Sequence, residues 1–140
     1  MSAARPPDAW LEWITHGGRP LVLLVRHGLM PPATTFPTQP EFNLQIGLVV
    51  YPAGGEVPRH LHLPLERHTV GTAEVVLVRK GHCLLDVYAT DRSLVATREL
   101  AEGDLMLMVG GGHGFRMLED TVLLEVKQGP YTGLDEKERF

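Results

Sequence analysis

Residues 74–88 read EVVLVRKGHCLLDVY. The first half, Glu74 to Arg79, is rich in β-branched residues, and Lys80-Gly81 turns it. In the second half Cys83, Leu85 and Val87 alternate with His82, Leu84, Asp86 and Tyr88. That period of two places successive side chains on opposite faces of a half-buried strand. Two such runs joined by a glycine turn predict antiparallel pairing.

The pattern continues on both sides. Downstream, Ala89 to Leu94 reads as a polar hairpin loop and Val95 to Leu100 as the returning strand. Glu102-Gly103-Asp104 then turns into a strand over Leu105 to Val109, which Gly110 to Gly112 break ahead of His113. Thr121 to Lys127 is the last strand. Upstream, Leu44 to Val50 alternates, Pro52 to Gly55 reads as a turn, and Val57 to His62 as a short strand ahead of a loop over Leu63 to Ala73. Pro31 to Pro40 holds four prolines and three threonines and reads as irregular. Leu21 to Val25 reads as a strand. At the start, Asp8 is placed to cap a short helix over Ala9 to Thr15, with Trp10, Trp13 and Ile14 on one side and His16-Gly17-Gly18 as its stop. The sum is about eight strands at regular spacing, the pattern of an antiparallel sandwich or barrel. Crossover helices for a parallel sheet are missing.

At 140 residues the chain has the length of one domain. Residues 1–40 read as an extension, 41–127 as the barrel core and 128–140 as a polar tail. Hydrophobic residues are 44% of the chain, enough for a packed core. Seventeen acidic against thirteen basic residues give a net charge of −4, without the basic excess of a nucleic-acid binder. The single cysteine, Cys83, excludes an internal disulfide and a cysteine-only metal cluster, and reads as a small core hydrophobe. No apolar run approaches the roughly 20 residues of a membrane span. The start of the chain lacks the layout of a secretory signal, so a cytoplasmic protein of bacterial origin is expected.

His60-Leu61-His62 is the strongest local signal. On a strand, i and i+2 share a face, so two imidazoles can converge on one ion. Glu74 opens the next strand, whose inward face would then be Glu74, Val76 and Val78. Glu66 is the alternative carboxylate, and His68 in the same loop is a reserve ligand. A histidine and carboxylate donor set suits iron, manganese, nickel, cobalt or zinc rather than magnesium or calcium. On the last strand, Glu125 and Lys127 either face water or line the mouth of the barrel, with Tyr131 folding over it. In the second case Lys127 and Arg116 would supply cations for an acidic or phosphorylated molecule. Gly110 to Gly112 lacks the spacing and the following helix of a nucleotide loop. Neither serine, Ser2 or Ser93, sits in a nucleophile elbow.

The order Gly54, His60, His62, Glu74, Gly81, then Gly103 and His113, resembles the cupin superfamily over residues 44–127. Four departures stand out. Eleven residues separate His62 from Glu74, more than the family's gap. In the second motif the gap from Gly103 to His113 is one residue short, Met108 or Val109 replaces the Pro, and Met117 stands where the family has Asn. The resemblance implies a single cupin-type antiparallel β-barrel, a double-stranded β-helix or jelly roll. It implies one divalent metal held by His60, His62, Glu74 and His113. It also implies an enzyme of dioxygenase type or sugar isomerase or epimerase type acting on a small polar or anionic molecule. The alternative is a non-catalytic module binding a carbohydrate or small acid. A homodimer is expected, because an apolar segment with Trp10, Trp13 and Leu21 to Val25 ahead of a barrel needs a surface to cover. Light scattering on the eluting protein should give twice 15.5 kDa, and a monomer would remove the idea.

Overall fold

The computed structural model describes residues 10–133 and 135–140. The chain divides into two compact units. One is the chain up to Leu29 together with Thr72–Phe140, and the other is Met30–Gly71.

The larger unit is all-β. Its strands are β1 (Leu11–His16), β2 (Arg19–Val25), β3 (Glu74–Lys80), β4 (His82–Tyr88), β5 (Leu94–Ala101), β6 (Leu105–Met108), β7 (Gly112–Met117) and β8 (Val122–Lys127). They form a five-stranded sheet in the order β1-β2-β6-β3-β8 and a three-stranded sheet in the order β5-β4-β7. Every pairing is antiparallel. The sheets are not closed into one barrel, and their arrangement is consistent with a β-sandwich.

The core lies between the sheets. Ile14, Val22, Leu24, Val76, Val78 and Met106 come from the larger sheet, and Cys83, Leu85, Val87 and Leu100 from the smaller. The alternation read in 82–88 is therefore what fills the core, with Cys83, Leu85 and Val87 all fully buried. At one margin Arg98 of β5 makes a bidentate ion pair with Glu12 of β1 and ties the two sheets, its Nη2 lying 2.8 Å from Glu12 Oε2.

The helix expected over Ala9 to Thr15 is absent. Asp8 and Ala9 lie outside the described residues, and Leu11–His16 is a strand. The spacing of Trp13 and Ile14 fits either period over so short a run, and the hairpin decides between them. His16 pairs with Arg19 across Gly17-Gly18, which have φ of +56° and +75°. Positive φ at both central residues is the turn that matches strand twist, and Gly-Gly meets it without strain. The glycines read as a helix stop are thus a hairpin turn. No helix occurs among the described residues, and none that is long and apolar enough to cross a membrane.

Two further expectations differ. Leu44 to Val50 and Val57 to His62 are not strands. Within Met30–Gly71 the one ladder contact is the bridge Thr35↔Leu48, with reciprocal bonds of 2.9 and 2.8 Å. Alternation supplies a strand only where a neighbour takes the backbone bonds, and here side chains take them instead. The Gln45 amide donates to the carbonyls of Gln39 and Phe42, and the Thr38 hydroxyl accepts from the Ile46 N–H. Conversely Gly112–Met117, with two glycines in its first three residues, is a strand, because β4 pairs with it along six positions.

The turn from β7 to β8 sets the register of the last strand. The His82 carbonyl accepts from the Leu118 N–H at 2.9 Å and from the Thr121 hydroxyl at 3.3 Å. As a result Leu123, Glu125 and Lys127 share the inner face with Val78, Val76 and Glu74, their partners on β3. Val122, Leu124 and Val126 face outward and are exposed.

Candidate functional site

Five strand termini meet at one end of the larger unit: the starts of β3 and β7 and the ends of β4, β6 and β8. They line a cavity of about 680 Å³, in the size range of small-molecule sites. Glu74 and His113 stand on its wall, with Lys127, Tyr88 and Met108.

The sheet pattern explains why a carboxyl sits there. Glu74 shares the inner face with Val76 and Val78, as its sequence position predicts, and is 6% exposed. Lys127 is its direct partner on β8, so Glu125 is the diagonal neighbour on the same face. Such diagonals lie within reach of long side chains. The Glu74 and Glu125 carboxyls share a hydrogen bond. His113 enters from the other sheet, where it is paired with Val87, and its Nε2 lies 3.6 Å from Glu74 Oε2. Its ring stands edge-on to Phe115, with centroids 5.8 Å apart.

Burial pushes the Glu74 carboxyl up to about 7. The hydrogen bond to Glu125 and repulsion from its charge add to this, against the pull of Lys137 and Lys127. Glu125 moves the other way, chiefly because it accepts the Glu74 hydrogen bond. Burial holds His113 below the ordinary imidazole range. Two carboxyls that share a proton titrate as a pair. Near neutral pH the group therefore holds one transferable proton on Glu74–Glu125 beside an uncharged imidazole able to accept one.

The other sequence candidates are placed differently. His60 and His62 are adjacent in Met30–Gly71, exposed, with ring centroids 5.1 Å apart and edge to face. His60 Nδ1 donates to the Pro58 carbonyl at 2.8 Å, which leaves the lone pair of Nε2 available. Glu66 and His68 are exposed in the same unit. Among the described residues no three His, Cys, Asp or Glu side chains form a group that could hold a metal ion. Of the four residues marked as metal ligands, the larger unit brings Glu74 and His113 together, and His60 and His62 belong to the other unit. Arg116 is committed elsewhere: its guanidinium donates to both oxygens of Asp86 at 2.7 and 2.9 Å. Tyr131 is exposed and does not line the cavity. Glu125 and Lys127 do belong to this end of the sheet.

The sequence reading missed the contribution of residues 136–140, which line the cavity as well. DEKERF looks like a solvated charged run, and only its final aromatic residue, Phe140, hints that it is anchored. No protein-family model, curated protein or solved structure matches this chain.

Proposed function

We propose that the protein is a small cupin-type enzyme of the isomerase or epimerase class. It moves a proton within a small polar or anionic molecule held in the cavity. The observation that carries this reading is the Glu74–Glu125 carboxyl pair with His113 beside it on the cavity wall. A carboxyl poised near the operating pH is an efficient general acid, and a neutral imidazole an efficient base. Glu74 would return the proton that His113 removes. Among the reaction types implied by the resemblance, proton transfer is the one these side chains can perform themselves.

The test is proton exchange. Hydroxy acids, keto acids and reducing sugars are incubated with the protein in deuterium oxide, and proton NMR follows loss of the C–H signal next to the carbonyl. Exchange should occur with at least one compound and fall about 100-fold in Glu74→Gln, the scale of one general acid–base group. Binding without exchange would leave the non-catalytic module instead.

The resemblance adds one divalent transition metal on His60, His62, Glu74 and His113. Elemental analysis of the same untagged preparation should give about one metal per chain, lost in His60→Ala/His62→Ala. No uptake after anaerobic addition of iron, manganese, nickel or zinc would remove the metal and leave proton transfer standing.

A further inference from the structure

Residues 136–140 are fastened to the walls of the cavity at every second position. Lys127 Nζ lies 3.9 Å from Glu136 Oε2, and Glu138 pairs with Arg92. The Phe140 ring stands edge-on to Tyr88 with centroids 5.1 Å apart, and the Arg92 guanidinium lies 5.4 Å from its centre. A Cβ on Gly112 would meet the same ring at 3.5 Å. The residues in between, Lys137 and Arg139, line the cavity as well. Among the described residues neither has an ion-pair partner. Glu136 and Glu138 are thus spent on the walls, while both cations of this stretch stay open to the cavity. The chain as a whole carries a net charge of −4, so two unanswered cations on one small cavity reverse the sign locally.

We propose that residues 136–140 are a lid that builds a phosphate subsite, where Lys137 and Arg139 together take a phosphate group, free or carried by a small molecule in the cavity. This deepens the reading above and rests on the same cavity. A phosphate monoester carries close to two negative charges near neutral pH, which two cations answer, whereas a monocarboxylate carries one. The guanidinium offers a fork of donors and the ammonium a compact point charge, and both suit phosphate oxygens. Because the two cations ride on the lid, a bound phosphate holds the lid closed. The fastenings can release: an exposed ion pair shifts an equilibrium by about fivefold or less.

The experiment is titration calorimetry on the full chain with glycerol 3-phosphate, ribose 5-phosphate, inorganic phosphate, glycerol, ribose, lactate and pyruvate. At least one phosphate compound should bind, and glycerol and ribose should not. Lys137→Met and Arg139→Met should each weaken it about threefold, and together about tenfold. Arg79→Met/Lys80→Met removes the same charge at the opposite end of β3 from Glu74, about 20 Å away, and should leave affinity within about twofold. Phe140→Ala changes no charge but unfastens the lid, and should weaken binding about threefold. Esters bound more tightly than inorganic phosphate place the rest of the ligand in the cavity, and equal binding makes free phosphate the ligand; both uphold the subsite. Unchanged binding in the Lys137/Arg139 double variant or in Phe140→Ala overturns it, as does an equal loss in Arg79→Met/Lys80→Met. So does binding of lactate or pyruvate without any phosphate compound, or of nothing at all. Proton exchange alongside such a failure leaves the acid–base reading standing, and phosphate binding without exchange leaves the subsite and removes the enzyme.

Discussion

Replacing Asp104 with alanine is expected to lower the unfolding free energy by about 4 kcal/mol, a large share of the roughly 5–15 kcal/mol that holds a domain folded. Asp104 is buried at the turn between β5 and β6. Its Oδ1 accepts from the His27 N–H at 2.9 Å, and its Oδ2 accepts from the Ala101 N–H at 3.0 Å and from Arg26 Nη1 at 3.1 Å. Arg26 is itself buried and donates to the Glu99 carbonyl at 2.6 Å. Alanine would strand a buried guanidinium, and removing one partner of a buried ion pair costs about 3–5 kcal/mol. His27 and Ala101 are exposed, so water can take their N–H groups and the ion pair sets the loss. Asp104→Asn keeps an acceptor but not the charge and should cost about half as much. Urea unfolding of the three proteins decides the matter. A loss below about 1 kcal/mol for alanine would mean that this contact does not hold β2 to the turn.

Glu74→Gln is expected to make the protein more stable at alkaline pH, by about 2–3 kcal/mol at pH 8.5. The Glu74 carboxyl is raised in the fold to about 7 from an ordinary value of 4.5. A raised value means that the folded chain holds the proton more tightly than the unfolded chain. The stabilisation is complete below pH 4.5 and is lost as pH rises through 7. Above that the wild type carries a buried carboxylate beside Glu125, while glutamine stays neutral and keeps an N–H for the hydrogen bond. Each tenfold gain in proton affinity is worth about 1.4 kcal/mol, so the ceiling is about 3. The opposite displacement of Glu125 returns part of it on the acid side. Near pH 5 the two proteins should agree within about 1 kcal/mol. Thermal melts from pH 5 to 8.5 with a chelator present give the difference directly. Parallel curves for wild type and variant would show that Glu74 is not held protonated by the fold. A gain in stability together with lost exchange is the usual mark of a group kept for chemistry.

The strands that the sequence marked best are those with long ladders on both sides. Residues 82–88 show it most clearly, since β4 pairs with both β5 and β7 and its alternation is a record of that burial. Glu74 was legible for the same reason: it opens a strand whose next inward residues are valines. His113 could be marked as a candidate, but its strand could not be seen, because two glycines remove the side chains that carry the period. Trp10 to Ile14 failed for a different reason. Five residues cannot separate a period of two from one of 3.6, and the outcome came from β2, a partner far too apolar to leave an edge bare. The His60-Leu61-His62 pair is adjacent as expected, yet the strand that would have aimed it is not there. The part that residues 136–140 play in the cavity was beyond reach because Phe140 meets Tyr88 and Arg92 across the chain rather than along it.

The turn that Thr121 pins to His82 decides which way β8 faces. On that strand Val122, Leu124 and Val126 point out, while Glu125 and Lys127 share the inner face with Leu123. Deleting a single residue between Leu118 and Thr121 would roll the strand over, since side chains change faces with each step. Val122, Leu124 and Val126 would turn to the inner face, and Glu125 and Lys127 would turn away from Glu74, with Leu123 leaving the core beside them. Such a chain would look better to any selection for foldability alone, and it would be chemically mute. The turn therefore acts as an index mark: it holds the last strand the wrong way round for comfort and the right way round for work.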